Sequence, residues 1–193
     1  FPVGDFYHRL VDRPDVLVDT AHLGRHAWPE GLDQIDIHKI YYAVDTPINI
    51  WWQKHFAGQF DLCFVDQKAY VNRFTERGLD ARWLPVAVNT SAYQADGAEA
   101  GDKIYDFGFV GVIDEKVRAK RSRLVNQLSG RFSLKTMGDH QDGCAGPDER
   151  AALYPQSRLL LHENLFPVVP TLMFEAMPTC PVLFPHQAGC HVL

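Results

Sequence analysis

The sequence lacks most of the short motifs that identify an enzyme from a few residues. It contains no HExxH zinc motif, no GxSxG nucleophile turn, no P-loop and no GxGxxG dinucleotide fingerprint. No apolar run approaches the ~18 residues of a membrane-spanning helix. A hydrolase or an NTPase therefore has no local support, and no membrane span is expected.

The sequence also has few cysteines and no excess of positive charge. The four cysteines form no CxxC pair; they are Cys63, Cys144, Cys180 and Cys190. This scatter argues against a zinc knuckle or a small disulfide scaffold, and reduced thiols are typical of a cytoplasmic protein. The formal net charge of −5 argues against a nucleic-acid surface, since phosphate backbones are bound by clustered Lys and Arg.

Histidine offers little support for a metal site. The nine histidines are dispersed, and only His22 and His26 stand four residues apart, as two ligands on one helix face would. Gly24 and the nearby Pro29 favour a loop here instead. We therefore expect no metal and no cofactor.

What the sequence does contain is a regular alternation of strand-like and helix-like segments. Short β-branched or aromatic runs predict strands over 14–21, 38–46, 60–67, 81–89, 105–113, 132–138, 159–164 and 180–184. Helical patterns lie between them over 48–59, 68–78, 115–130, 146–158 and 170–177. Repeated strand–helix–strand order predicts an α/β fold with parallel sheets covered by helices.

One polar segment interrupts this alternation. Residues 90–103 are small, polar and rich in Ala and Gly, which is typical of a linker. We therefore predict two Rossmann-like lobes facing a cleft, residues 1–92 and 93–193. The chain starts without Met and ends just after a strand-like run, so we expect a fragment with both lobes partial.

Ligands of such folds lie at the carboxyl ends of the strands, and Gly111 lies in the turn that ends the strand predicted over 105–113. A glycine there lets backbone N–H groups approach an anion, and the cations that follow it, up to Arg121, could neutralise a diphosphate. The alternative is a plain turn followed by a solvated basic helix.

A second candidate anion site follows the strand at 159–164. Glu163 stands at the end of that strand, and a helix is predicted to open near Thr171, where free N–H groups favour a pyrophosphate. Glu175 lies about one turn further on, in the apolar stretch PTLMFEAMPTCPVLF. Its carboxylate could accept hydrogen bonds from a ribose diol; the alternative is an exposed helical glutamate.

Asp45 is the candidate of the first lobe. It ends a predicted strand beside aromatic residues, as a site for a sugar or a hydroxyl acceptor requires. It could act as a general base if burial raises its pKa toward neutrality. The alternative is a helix N-cap, with Pro47 at the first helical position.

Taken in order, these segments resemble bacterial GT-B glycosyltransferases. The resemblance is carried by residues 39–89, then YDFGFVGVI and an Arg-rich helix, then LYPQSRLLLHEN and LMFEAMPTCPVLF. It is closest to the spore-maturation-type "glycosyl transferases group 1" proteins with their preceding companion domain. The resemblance implies a metal-independent, hexosyltransferase-type enzyme that moves a sugar from a nucleotide-sugar co-substrate to an unknown glycan, protein or small-molecule acceptor.

The resemblance also implies roles for particular residues. It places the donor in the C-terminal lobe and assigns Glu175 to the donor ribose and Asp45 to the acceptor side. Gly111 matches the glycine after the first strand of that lobe, and the phosphate-binding cations match Lys116, Arg118 and Arg121.

The sequence departs from the family pattern at three places. Leu172 replaces a frequent Arg, the residues PTC after Met177 lack a usual Gly, and Pro47 replaces a frequent His. Two rival hypotheses therefore stand beside the enzyme: a non-catalytic nucleotide- or sugar-binding protein of the same fold, and an unrelated two-lobed protein that binds small anions.

Overall fold

The computed structural model describes residues 2–20, 29–93, 103–138, 146–163 and 169–183. It is an α/β fold with two parallel sheets of four strands each, consistent with the predicted Rossmann-like class. The chain divides into two compact units between Val86 and Ala87, six residues before the boundary that the polar segment predicted. No helix in these ranges is long and apolar enough to cross a membrane.

The first unit contains one sheet with its strands in chain order, β1-β2-β3-β4. Its elements are α1 (Val3–Arg9), β1 (Val16–Thr20), a 3-10 turn (Leu32–Gln34), β2 (His38–Ala43), α2 (Thr46–Phe56), a 3-10 turn (Ala57–Gln59), β3 (Leu62–Val65), a 3-10 turn (Lys68–Tyr70), α3 (Asn72–Thr75) and β4 (Ala81–Trp83).

Alternate residues of the central strands form the core of this unit. Tyr41 and Ala43 of β2 pair with Cys63 and Val65 of β3, and all four are buried in one cluster with α2 and α3. Because side chains alternate between the two faces of a strand, one face of the sheet is covered by these helices.

The second unit has a different strand order, β6-β5-β7-β8. Its elements are a 3-10 turn (Thr90–Tyr93), β5 (Tyr105–Val110), α4 (Ala119–Ser129), β6 (Leu134–Met137), α5 (Pro147–Gln156), β7 (Ser157–Leu161), α6 (Thr171–Ala176) and β8 (Val182–Leu183). After β5 the chain adds β6 on one side of that strand and then adds β7 and β8 on the other side. The direction in which strands are added therefore reverses, and the switch point lies between β5 and β7.

Helices cover both faces of the second sheet. Leu160 packs with Tyr154 of α5 and Ala176 of α6, whereas its neighbour Leu161 packs with Val125 of α4. Consecutive residues of a strand point to opposite faces, so α4 lies on one face while α5 and α6 lie on the other.

All eight predicted strands form, but several helix boundaries and the first residues of the polar segment differ from the prediction; residues 94–102 of that segment lie outside the described residues. The helix predicted over 68–78 is a 3-10 turn followed by the four-residue α3. The basic helix begins only at Ala119, because the Asp114 carboxylate accepts the N–H groups of Lys116 and Val117 in a turn. Within the predicted linker, Tyr93 is buried in the core of the second unit.

Candidate functional site

The carboxyl ends of β5 and β7 meet at the point where the strand order of the second sheet reverses. Gly111 follows β5, and His162 and Glu163 follow β7. Ligands of parallel α/β sheets bind in the crevice at such a switch point. This edge is therefore the first candidate site.

Arg121 of α4 bridges the two strand ends. Its Nη1 donates to the carbonyl of Val112 (3.0 Å) and its Nη2 to the carbonyl of Glu163 (2.6 Å). Its Nε lies 3.5 Å from the Glu163 carboxylate, without hydrogen-bond geometry. The guanidinium also lies over the ring of Phe109, at 5.5 Å.

Gly111 leaves room for the Arg121 guanidinium, and its own amide is already hydrogen-bonded. The Gly111 N–H donates to the carbonyl of Met137 (2.9 Å), so this particular amide is already paired within the sheet. The residue has φ +146°, and a Cβ there would lie 3.2 Å from the Arg121 Nη1. Only glycine adopts that conformation and leaves that space.

Two further predicted cations lie just before α4. Lys116 is exposed and Arg118 is half-buried, and neither forms an ion pair with another described residue. Burial lowers the pKa of Arg121, and the charge of Arg118 lowers it further. The positive charge of Arg118 therefore acts on the Arg121 guanidinium.

Glu175 is buried, so the alternative of an exposed helical glutamate is wrong. Its side chain accepts hydrogen bonds from the Arg150 Nε (2.9 Å) and Nη2 (3.2 Å), and from the Tyr154 hydroxyl (2.9 Å). Arg150 also donates to the Tyr93 hydroxyl (3.0 Å). The carboxylate is thus stabilised by a cation and a phenol of the same unit, and its burial needs no sugar.

The electrostatics of this cluster agree with its geometry. Burial alone would lower the pKa of Arg150, but hydrogen bonds to Tyr93 and Glu175 raise it overall. Burial and the hydrogen bond to Glu175 raise the pKa of Tyr154. The cluster therefore holds a Glu–Arg ion pair with the neutral phenol of Tyr154 beside it.

α6 begins at Thr171, as predicted. The helix has six residues and Thr171 itself is exposed. Leu172, the residue that departs from the family pattern, packs against the core that contains Tyr154 and Ala176. An apolar residue there is consistent with its position on the protein side of the helix.

Asp45 lies at the carboxyl edge of the first sheet, in an unusual backbone conformation. It is at the N-cap position of α2, but its side chain makes no capping hydrogen bond. Its φ of +53° makes it the one non-glycine residue with positive φ in the described ranges. Such residues cost about 1–3 kcal/mol and cluster at functional sites, although Asp tolerates this region better than most.

Asp66, which the sequence analysis did not single out, caps α2 in place of Asp45. Its carboxylate accepts the N–H of Asp45 (2.8 Å), the N–H of Thr46 (3.4 Å) and the hydroxyl of Thr46 (2.6 Å). The side chain of Asp45 is therefore free from capping and is exposed. Asp66 lies near the carboxyl end of the strand predicted over 60–67, and this signal could have identified it.

The pKa values of two groups at this edge, Asp45 and Tyr42, are raised. Although the Asp45 side chain is exposed, the surrounding protein removes part of its hydration and so raises its pKa, and the Asp66 carboxylate raises it further. Burial and Asp66 raise the pKa of Tyr42 to about 12. A carboxyl group with a raised pKa and an exposed side chain is suited to accept a proton.

Histidine and cysteine side chains were also weighed as metal ligands in the sequence. Among the residues that the structure describes, no cluster of His, Cys, Asp and Glu could hold a metal ion. His22, His26, Cys144 and Cys190 lie outside the described residues. Cys63 and Cys180 are free and buried.

The fold and these two edges define an α/β protein with Rossmann-like sheets and two candidate ligand-binding edges. Comparison of the chain with protein-family models and with curated proteins returned no match.

Proposed function

We propose that the chain is a glycosyltransferase that uses a nucleoside-diphosphate sugar and needs no metal. The second unit binds the donor, and the first unit contributes the acceptor side. The observation that carries the proposal is the switch point between β5 and β7, with Arg118 and Lys116 nearby and without ion-pair partners among the described residues.

The donor side is supported by the topology and the charge of the second unit. Parallel sheets place ligands at the switch point, and cations there stabilise a diphosphate both in the ground state and as a leaving group. Arg118 and Lys116 precede α4, whose 11 residues direct their N-terminal N–H groups toward the same edge. A nucleotide diphosphate suits this edge better than a neutral ligand does.

The acceptor side is supported by Asp45. In the proposed reaction an acceptor hydroxyl attacks the anomeric carbon, and the bond from that carbon to the diphosphate breaks. The nucleoside diphosphate leaves with the electron pair, and Asp45 accepts the proton of the hydroxyl. Its positive φ and raised pKa support this role.

The experiment is a thermal-shift and calorimetric screen of the chain against UDP, GDP and their sugars, followed by an assay for nucleotide release. We expect one nucleotide diphosphate to raise the melting temperature and its sugar to be hydrolysed slowly or transferred. Asp45→Asn should abolish turnover and leave donor binding within about twofold, since Asn tolerates positive φ. Stabilisation by phosphate or sulfate alone would instead support a small-anion-binding protein.

One observation favours a non-catalytic nucleotide- or sugar-binding protein of the same fold. The Glu175 carboxylate, which the resemblance assigns to the donor ribose, is bonded to Arg150 and Tyr154. A ribose diol would have to compete with these bonds. Nucleotide binding without any sugar release in the same screen would support this second candidate.

A further inference from the structure

We infer that Arg121 is a positioning residue of the proposed donor site and that Arg118 supplies the charge that contacts the diphosphate. The inference rests on the proposed function and divides its basic residues into two roles. The resemblance assigns Lys116, Arg118 and Arg121 alike to phosphate binding, whereas their surroundings in the structure differ.

Arg121 has few hydrogen-bond donors left for a ligand. A guanidinium has five N–H groups; Arg121 directs one to Val112, one to Glu163 and the Nε–H toward the Glu163 carboxylate. One face lies over Phe109. Its side chain is only 11% exposed, so a diphosphate could reach it only by displacing these contacts.

The two carbonyls that Arg121 binds lie in different loops. Val112 follows β5 and Glu163 follows β7, so one side chain fixes the separation of the two loops that border the switch point. The planar fork of an arginine can hold two carbonyls in fixed directions, which a lysine ammonium cannot do equally. The geometry of Arg121, more than its charge, is therefore what this edge requires.

Arg118 is in the opposite situation. It is half-buried and immediately precedes α4, and it forms no ion pair with any residue of the described ranges. Its charge lies close enough to Arg121 to lower the pKa of that group. An anion bound at Arg118 would relieve this repulsion between like charges.

The test compares charge-keeping and charge-removing variants at both positions. Affinity for UDP, GDP and inorganic pyrophosphate is measured for Arg118→Lys, Arg118→Gln, Arg121→Lys and Arg121→Gln. Arg123→Gln is the matched control, because Arg123 is an exposed cation of the same helix. Gly111→Ala adds a variant that keeps every charge but places a Cβ 3.2 Å from the Arg121 Nη1.

At Arg118 we expect diphosphate affinity to depend on whether the substituted side chain keeps the positive charge. Arg118→Gln should lower diphosphate affinity roughly 10- to 100-fold, the usual range for a lost hydrogen bond to a charged group, and should flatten its salt dependence. Arg118→Lys should stay within about threefold, since lysine also binds phosphate as a point charge. Affinity of Arg118→Gln equal to that of the wild type and of Arg123→Gln would overturn this assignment.

At Arg121 we expect diphosphate affinity to depend on the shape of the guanidinium rather than on its charge. Arg121→Lys and Arg121→Gln should lose affinity to the same degree, about 10-fold or more, and Gly111→Ala should resemble them. The wild-type salt dependence should remain in all three. If lysine restores binding at position 121, the role is electrostatic and the positioning role is refuted.

Hydrogen exchange separates this inference from the proposed function and needs no ligand. In Arg121→Lys and Gly111→Ala, amides that follow β5 and β7 should exchange faster than in the wild type and in Arg118→Gln, while the core of β5 stays protected. If no nucleotide or pyrophosphate binds the wild type, the proposed function and the role of Arg118 both fail. Unchanged exchange in both loops would refute the positioning role whether or not a nucleotide binds.

Discussion

The two sheets of this protein share an architecture and differ in the chemistry at their carboxyl edges. Each has four parallel strands, but the strands of the first run in chain order whereas the order of the second reverses between β5 and β7. The first edge carries the carboxylates of Asp45 and Asp66, and the second carries Arg118 beside the buried pair of Arg121 and Glu163. The same fold therefore provides opposite charges, and the loops, not the sheets, determine which ligand each edge favours.

The two units also stabilise a buried carboxylate in different ways. In the first, Asp66 is only 5% exposed and accepts backbone N–H groups at the start of α2 together with a hydroxyl. In the second, Glu175 is 7% exposed and is paired with the Arg150 guanidinium. The cap joins the end of β3 to the start of α2, whereas the ion pair joins α5 to α6.

The largest effect is expected from breaking the ion pair of the second unit. Glu175→Gln should lower the free energy of unfolding by about 3 kcal/mol, because the partly buried Arg150 loses its counter-charge. Urea denaturation measures this, and Glu115→Gln, at an exposed position, is the control. A loss below about 1 kcal/mol, combined with lost nucleotide binding, would show instead that Glu175 serves a ligand.

A smaller effect is expected from removing the carboxylate cap of the first unit. Asp66→Ala should destabilise the protein by about 2 kcal/mol, the upper end of measured capping effects, because α2 loses a charged acceptor. Asp66→Asn keeps one acceptor oxygen and should lose about half as much. Equal losses in the two variants, again from urea denaturation, would contradict capping by the carboxylate.

A gain in stability is expected at Asp45. Asp45→Gly should stabilise the protein by about 0.5–1 kcal/mol, because glycine adopts positive φ without strain, and it should abolish the proposed turnover. Asp45→Ala retains a Cβ without the tolerance of Asp or Asn for this region and should destabilise it. If the glycine and alanine variants are equally stable, the backbone at this residue is not strained.

These comparisons show which features follow from the sequence and which require the structure. Strand positions follow from local apolar patterns, and so does the proximity of Gly111 to a basic helix. The partner of Glu175 does not, because Arg150 is 25 residues away and belongs to another helix. The use of the Gly111 amide by Met137 depends on the pairing of β5 with β6, which no local pattern specifies.

The smallest effect is expected in how the free energy of unfolding changes with pH through the titration of Asp45. The folded-state pKa of Asp45 is raised above its ordinary value of 3.8, so the folded protein binds the proton more tightly than the unfolded chain. Stability contributed by Asp45 is therefore lost as the pH rises from about 3.8 through the raised pKa, and it does not change further at higher pH. Asp45→Asn removes this titration, so the stability of the variant relative to the wild type should rise across the same pH window and then stay constant.

Urea midpoints measured from acid to neutral pH for both proteins test this prediction. A difference that stays flat, or that falls with pH, would mean that the folded protein does not disfavour the charged form of Asp45.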